Sequence, residues 1–212
     1  MSIGRGRFIT IEGGDGAGKS THLAFIGELL DEYGINHIQT REPGGTPIGE
    51  RIRELVLNSS DEDFGDDTEL LLIFAARMEH LQKVIRPAME SGIWVVCDRF
   101  TDASYAYQGG GRGMDPKRIH ILESWVQQGL QPDLTIVLDV PVDVGLSRAH
   151  ARGSDTDRFE SQADRFKEAV RQAYLDRAAG DPDRMQVVDA AQTIPHVQEQ
   201  IRAAMHSLVA RK

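Results

Sequence analysis

A glycine-rich segment between an apolar run and a helical run constrains this chain more than any other feature. Residues 13–20 read Gly-Gly-Asp-Gly-Ala-Gly-Lys-Ser and fit the pattern GxxxxGK[ST], with a predicted strand before them and a predicted helix after Lys19. Glycines let successive backbone N–H groups turn toward one anion, and the start of the helix adds a positive dipole end. Lys19 is expected to bind the β- and γ-phosphates of a nucleotide triphosphate, and Ser20 is expected to bind Mg²⁺. The predicted nucleotide-binding residues are Gly13, Gly14, Asp15, Gly16, Ala17, Gly18, Lys19, Ser20 and Thr21.

Short β-rich runs alternate with helical runs along the chain. Strands are predicted at residues 7–12, 36–40, 93–97, 134–140 and 185–188, and helices after residues 19, 46, 66, 115, 141, 164 and 194. Their near-continuous apolar character indicates parallel strands that are buried on both faces. We therefore predict an α/β fold of the P-loop NTPase type: a doubly wound, five-stranded parallel sheet flanked by helices, in one domain over residues 1–212. Glycine-containing segments at 44–45, 109–111 and 152–154 predict loops.

The composition excludes several classes of protein. A net charge of -9 does not suit a protein that coats nucleic acid, because that role needs clustered Lys and Arg. Apolar runs such as Ile93–Cys97 are too short to cross a bilayer, and residues 1–6 lack the apolar core of a signal peptide. The single cysteine, Cys97, excludes an internal disulfide and is expected to be a small buried side chain. We expect a cytoplasmic protein that binds neither nucleic acid nor membranes.

An acid followed by a base ends the third predicted strand. Asp98 comes directly after Val95-Val96-Cys97, and Arg99 comes next. An acid at this point resembles a Walker B carboxylate, which reaches Mg²⁺ directly or through water. Arg99 suits an enzyme that holds a second phosphate group against repulsion from the first. A surface ion pair between Asp98 and Arg99 is the alternative interpretation.

Several other polar residues stand in unusual places. Asp15 is unfavourable beside a triphosphate, so it either binds a second substrate or is a solvated loop acid, and the loop alone does not decide between them. Arg77 lies in an apolar helical run, which by itself favours a side chain that snorkels to solvent. Gln108 can pair with a base edge that offers both a donor and an acceptor, and Tyr107 provides a rigid wall with a polar tip. The histidines are expected at the surface.

These segments together resemble the bacterial thymidylate kinase family. The similar residues are Phe8–Gly13 with the glycine-rich segment, Arg41–Thr46, Asp98–Gly113 and Pro132–Thr135, in consistent order along nearly the whole chain. The resemblance implies a nucleoside monophosphate kinase-like fold and a homodimer. It also implies that the protein transfers the γ-phosphoryl group of ATP to dTMP with Mg²⁺ as cofactor.

The resemblance further implies roles for individual residues. It implies dTMP-binding roles for Asp15, Glu42, Arg53, Phe74, Arg77, Arg99, Ser104, Tyr107 and Gln108, metal-binding roles for Ser20, Asp98 and Glu42, and catalytic roles for Lys19, Asp98, Arg99, Arg152 and Arg158. Asp15 would meet the 3′-hydroxyl of dTMP, and Arg99 would hold its phosphate. Arg77 and Gln108 would bind the thymine edge, while Tyr107 would crowd the position of a ribose 2′-hydroxyl.

The chain departs from the family pattern at two positions. Many relatives carry a phenylalanine four residues before the base-binding arginine, where this chain has Ile73, so stacking of Phe74 on the base stays open. Some relatives carry an arginine directly after the loop acid, where this chain has Gly16. A mobile lid at residues 148–160 is therefore expected to supply the catalytic arginine, from Arg152 or Arg158.

Other functions are compatible with a phosphate-binding loop. An adenylate kinase would normally show Gly-Lys-Gly where residues 19–21 are Lys-Ser-Thr. A GTPase would need an Asn-Lys-x-Asp motif, and the sequence contains no Asn-Lys pair. A kinase for another nucleoside monophosphate and a non-catalytic nucleotide-binding module are the alternatives.

Overall fold

The computed structural model describes residues 5–58, 65–151, 159 and 162–210. Within these residues, five strands form one parallel sheet in the order β2-β3-β1-β4-β5. The strands are β1 (Phe8–Glu12), β2 (His37–Arg41), β3 (Trp94–Asp98), β4 (Leu134–Asp139) and β5 (Met185–Asp189). The predicted fold class is confirmed, and every predicted strand boundary lies within one residue of the observed one.

Helices connect the strands throughout the described part of the chain. They are α1 (Lys19–Glu32), α2 (Pro47–Asn58), α3 (Asp66–His80), α4 (Arg86–Glu90), α5 (Thr101–Ser104), α6 (Pro116–Gln127), α7 (Val142–Ala151), α8 (Asp164–Gly180) and α9 (Ile194–Val209). Two π-helical stretches, Leu81–Ile85 and Tyr105–Gly111, directly follow α3 and α5. The seven predicted helix starts are confirmed, whereas α4 and α5 were not predicted.

The side chains of the strands alternate between two apolar cores on opposite faces of the sheet. Ile9 and Ile11 of β1 pack with α1 and α9 on one face. Phe8 of β1 and Cys97 of β3 pack with α3 and α6 on the other, where α8 adds a cluster over Val137 of β4. Cys97 is fully buried as expected, and burial raises the pKa of its thiol. None of the described helices combines the length and apolar character needed to span a membrane.

The glycines at 109–111 do not form the predicted loop. They end the π-helical stretch Tyr105–Gly111, which packs closely against α8. A Cβ atom on Gly110 would lie 2.7 Å from the Cβ of Ala173, and one on Gly111 would overlap the ring of Phe166. The loop prediction is therefore wrong here, because the glycines serve the close approach of two helices.

The register of the sheet determines where the candidate site lies. β1 is the central strand, and its Ile11 pairs with Asp98 of β3 while its Glu12 pairs with Val137 of β4. The residues that follow β1 and β3 therefore leave the sheet at the same edge. Ligands of open α/β sheets bind beyond this edge, at the carboxyl ends of the strands.

Candidate active site

The segment at residues 13–18, here called the phosphate-binding loop, joins β1 to α1. Its glycines at 13, 16 and 18 have positive φ angles of 138°, 72° and 88°. The Nζ atom of Lys19 donates hydrogen bonds to the carbonyl oxygens of Gly13 at 3.0 Å and Gly14 at 2.9 Å, so the lysine folds back over the loop. Desolvation and the nearby Arg99 lower the pKa of Lys19 to about 8. A bound phosphate would counter both effects, because it supplies negative charge beside the ammonium group.

Helix α7 packs directly on the phosphate-binding loop. A Cβ atom on Gly145 of α7 would lie 2.6 Å from the carbonyl oxygen of Asp15, and a Cβ on Gly16 would overlap the Gly145 backbone. Gly16 also has a positive φ angle, which a side chain would strain. This loop conformation therefore leaves no room for the arginine that some thymidylate kinases are expected to carry at that position.

Two of the three predicted metal ligands offer oxygen atoms at this edge of the sheet. Oδ1 of Asp98 is buried without a hydrogen-bond partner among the described residues, and Ser20 is exposed in the first turn of α1. A carboxylate and a hydroxyl suit Mg²⁺, which binds few protein oxygens and completes its shell with phosphate oxygens and water. Glu42 differs, because Arg77 and His80 already occupy its two carboxylate oxygens.

Arg99 lies beside the phosphate-binding loop with an unusual backbone conformation. Its φ angle is +67°, which is uncommon for a residue other than glycine. Its Nη2 atom donates to the Tyr107 hydroxyl at 2.7 Å and to the Asp15 carboxylate at 3.1 Å, whereas its Nε is buried without a described partner. Burial alone would raise the pKa of Asp15, but Arg99 and Lys19 lower it. One end of the guanidinium group is thus held by the protein, and no acceptor for Nε lies within the part of the chain that the structure describes.

A cavity of about 530 Å³, here called the Arg99 cavity, opens beside this arginine. Among its lining residues are eight of the nine predicted substrate-binding residues: Asp15, Glu42, Arg53, Arg77, Arg99, Ser104, Tyr107 and Gln108. Phe74 does not line the cavity, because its ring packs in the core 4.5 Å from the Arg77 guanidinium carbon. Ile73 lines the cavity instead.

Arg77 anchors a buried ion-pair cluster at the wall of the Arg99 cavity. It is 1% exposed, so the snorkelling interpretation is wrong. Its Nε donates to Glu42 at 2.7 Å, its Nη1 to the Ser104 hydroxyl at 3.1 Å, and its Nη2 to the Phe100 carbonyl oxygen at 3.1 Å. Glu42 also contacts Nδ1 of His80 at 3.0 Å. These bonds fix the orientation of the guanidinium group before any ligand binds.

The histidine prediction is wrong for two residues. His80 is fully buried, and its second ring nitrogen lies 2.7 Å from the Thr40 hydroxyl, so both of its nitrogens have partners. His22 is also buried, and its Nδ1 has no described hydrogen-bond partner. Both side chains therefore lie in the interior rather than at the surface.

Glu69 of α3 is a cavity-supporting residue that the sequence analysis missed. It is fully buried and accepts hydrogen bonds from Gln108 at 2.8 Å and Arg112 at 3.1 Å. A signal was present in the sequence: Glu69, Arg77 and His80 share one face of α3, at spacings of eight and three residues. Polar residues in the apolar stripe of a helix indicate a buried polar cluster.

A second cavity, about 930 Å³ in volume and here called the Arg148 cavity, opens at the start of α1. Arg148 of α7 donates to the carbonyl oxygens of Ala190 at 2.7 Å and Ala191 at 3.3 Å, which ties α7 to the loop after β5. The Arg148 cavity is also lined by residues 16–18, Thr21, His22, Ala190 and residues 192–194. The loop after β5 was not predicted to be part of a binding site, although ligands of α/β sheets bind beyond the carboxyl ends of the strands and β5 ends just before this loop.

The predicted lid falls mostly outside the described residues. Arg152 and Arg158 are not described, and their catalytic role stays a prediction. Residues 148–151 continue α7, and the ring of Phe159 lies 5.4 Å from that of Tyr107 between ring centroids. Within the predicted lid at residues 148–160, the structure therefore describes only residues 148–151 and 159.

Comparisons with known proteins identify the family of this chain. The family model for thymidylate kinase matches residues 11–201. A thymidylate kinase of Ectopseudomonas mendocina (strain ymp) is 58% identical over 204 residues, which cover 96% of this chain and 97% of the relative. One from Pseudomonas putida (strain GB-1) is 57% identical over 206 residues, which cover 97% of this chain and 98% of the relative.

A solved structure shares the same fold. The crystal structure of thymidylate kinase from Ehrlichia chaffeensis gives a TM-score of 0.76 at 31% identity, covering 95% of this chain and 99% of that chain. The chain belongs to the thymidylate kinase family.

Proposed function

We propose that this protein transfers the γ-phosphoryl group of ATP to dTMP, giving ADP and dTDP for dTTP synthesis. The observation that carries the proposal is the Arg99 cavity, which brings the predicted acceptor-binding residues against the phosphate-binding loop. Family membership supports the same activity, because the relatives at 55–58% identity are named thymidylate kinases.

Arg99 is proposed to hold the phosphate of dTMP. Its Nε has no hydrogen-bond partner among the described residues, and its Nη2 contacts Asp15 and Tyr107, so an anion can be bound without breaking the contacts that position the side chain. Arg53 lines the same cavity, and desolvation together with Arg41 and Arg99 lowers its pKa. Two cations facing one cavity favour a dianion there.

The base and sugar of dTMP are proposed to lie between Arg77 and Asp15. Glu69 holds the amide nitrogen of Gln108, which leaves the amide oxygen as the end that can accept the thymine N3–H. Arg77, fixed by Glu42 and Ser104, would donate to a thymine carbonyl oxygen. Asp15 would accept from the sugar hydroxyl.

ATP is proposed to place its phosphates in the phosphate-binding loop and its base in the Arg148 cavity, which adjoins the loop. Lys19 would exchange its contacts with the Gly13 and Gly14 carbonyl oxygens for contacts with the phosphates. Ser20 and Asp98 would hold Mg²⁺, which neutralises charge on the donor phosphates. The acceptor phosphate is already anionic, so the protein contributes alignment and charge neutralisation rather than a general base.

A lid arginine and a homodimer complete the proposal. Arg152 or Arg158 would approach the transferring phosphoryl group. Leu71 of α3 and Ile121 and Trp125 of α6 are 56%, 67% and 68% exposed on two helices that contact each other, which favours a second copy of the chain as cover. Light scattering should then give a dimer mass, which Trp125→Glu should reduce. Substrates of this kind and the presence of a single cysteine support a cytoplasmic location.

The activity is tested by ADP release in a coupled assay with dTMP, dUMP, dGMP and AMP. We expect dTMP to give the highest kcat/KM. A higher value with another monophosphate would reassign the substrate, and ATP binding without turnover of any of them would make the protein a non-catalytic module.

The role of Arg99 is tested in the same assay. Arg99→Ala should lower kcat/KM for dTMP by about 100-fold or more, because it removes a charged contact to the reacting group, while the Kd for ATP stays unchanged. Arg202→Ala serves as the control, since this arginine makes an exposed ion pair with Glu32. An equal loss of ATP affinity in Arg99→Ala would contradict the separation of donor and acceptor roles.

A further inference from the structure

Glu12, the last residue of β1, is a buried carboxyl group that the proposed reaction does not use. It is fully buried and lies directly before the phosphate-binding loop. Its Oε1 accepts a hydrogen bond from the backbone N–H of Phe100 at 2.7 Å. Its Oε2 is hydrogen-bonded to the Tyr174 hydroxyl of α8, also at 2.7 Å. A buried polar group bonded to two separate elements restricts both of them.

The Phe100 contact lies next to the unusual backbone of Arg99. The N–H of Arg99 donates to the Ile11 carbonyl oxygen at 3.0 Å, and the next N–H, that of Phe100, donates to Glu12. Two consecutive residues of β1 thus hold two consecutive amides on either side of the +67° φ angle. A non-glycine residue keeps such an angle only where surrounding contacts over-determine it.

We infer that Glu12 is a positioning residue that holds the backbone of Arg99 in the conformation from which its guanidinium group reaches the acceptor phosphate. The inference deepens the proposed function and rests on the role given there to Arg99. Tyr174 contributes indirectly, because its hydrogen bond keeps the Glu12 carboxyl group from rotating. Within the described residues, the hydrogen-bond partners of the Glu12 side chain are Phe100 and Tyr174, neither of which we place against the acceptor, so its effect on the acceptor passes through Arg99.

The protonation of Glu12 agrees with this role. Burial, and next the charge of Asp102, raise the pKa of Glu12 to about 8, against contacts with Tyr174, Phe100 and Arg99 that lower it. The carboxyl group is therefore largely neutral at pH 7, and an amide of the same shape can replace it. In Glu12→Gln the side-chain oxygen would accept from Phe100, and the amide nitrogen would donate to Tyr174.

The test compares Glu12→Leu with Glu12→Gln in the full-length protein. Glu12→Leu should lower kcat/KM for dTMP by roughly 100-fold, because it releases the backbone that places a reacting contact, and should leave the Kd for ATP unchanged. Glu12→Gln should restore activity to within a few-fold of the original protein. Equal losses of kcat/KM in the two variants would overturn the inference, because an amide that keeps the shape and hydrogen bonds of Glu12 would then fail to hold Arg99 in place.

A double-mutant cycle distinguishes positioning from general destabilisation. In the Arg99→Ala background, Glu12→Leu should cause no further loss of kcat/KM for dTMP, because the group it positions is gone. Multiplied losses would overturn the inference and leave the role of Arg99 intact. An Arg99→Ala variant with unchanged dTMP kinetics would instead defeat the proposed function itself.

Two further variants separate the loss of the positioning contact from a general folding defect. Glu123 is a matched control: it is another buried carboxylate bonded to a tyrosine hydroxyl, that of Tyr105 at 2.6 Å. Glu123→Leu should lower the melting temperature but keep the dTMP kinetics. If Glu12→Leu does not fold, Tyr174→Phe replaces it and should raise the KM for dTMP without changing the Kd for ATP; an unchanged KM would then overturn the inference.

Discussion

The Arg99 cavity and the Arg148 cavity adjoin the same loop but are built differently. The Arg99 cavity is lined by side chains that buried partners already hold, such as Arg77 by Glu42 and Gln108 by Glu69. In the Arg148 cavity, two loop glycines are among the lining residues, and backbone carbonyl oxygens rather than a buried carboxylate hold Arg148. The side chains that line the Arg99 cavity are therefore linked to the buried polar groups of the core, and under the proposed function this links acceptor binding, but not donor binding, to core stability.

Removal of Arg77 should cause the greatest loss of stability on the acceptor side. Arg77→Ala should lower the free energy of unfolding by about 3–5 kcal/mol, because it leaves the buried Glu42 without its arginine. Thermal or urea unfolding would measure the loss. Arg118→Ala, which breaks an exposed ion pair with Asp67 near the same helix, is the control and should change stability little. Similar stability for both variants would show that the Arg77 cluster does not support the core.

The buried Glu12 beside the Arg99 backbone should make the stability of the protein depend on pH. A carboxyl group whose pKa is raised by folding stabilises the protein fully below its ordinary pKa of 4.5, and this stabilisation is lost as the pH rises toward about 8. The original protein should therefore lose up to about 1.4 kcal/mol per pH unit relative to Glu12→Gln within that window. Urea unfolding of both proteins at pH 6 and pH 8 measures the difference. A difference in the free energy of unfolding between the two proteins that does not change with pH would contradict the raised pKa of Glu12.

The smallest expected effect lies on the donor side. Arg148→Ala should raise the KM for ATP by about tenfold, corresponding to one lost charged contact, because α7 is no longer tied to the loop after β5. The melting temperature and the KM for dTMP should stay unchanged. Steady-state kinetics with each substrate varied in turn would show this, and a parallel rise in the KM for dTMP would mean that the two cavities are not independent.

Local patterns predicted the elements and the loop but not the contacts that support the site. Lys19, Asp98 and Arg99 could be selected because each stands at a strand end or in a short motif. Glu12 could not, because its partner Tyr174 is 162 positions away and only the packed fold brings them together. For the same reason Arg77 was expected to snorkel: its partner Glu42 follows a different strand, 35 residues earlier in the chain.

The glycines at 109–111 show a different limit of sequence reasoning. A glycine cluster predicts a turn when only local backbone freedom is considered. Here α8 lies so close that larger side chains at Gly110 and Gly111 would collide with it. The glycine cluster correctly indicated that small residues are needed here, but it wrongly indicated a turn. Small residues are needed because α8 packs against this stretch.

Ile73 has a consequence for the design of inhibitors. A branched aliphatic side chain stands at the cavity wall, while the neighbouring Phe74 is turned into the core. Compounds that gain affinity by placing an electron-poor ring against a phenyl face would find no such face at this position. Compact aliphatic or halogen substituents would fill the space beside Ile73 better, which offers a route to selectivity over enzymes that present an aromatic ring there.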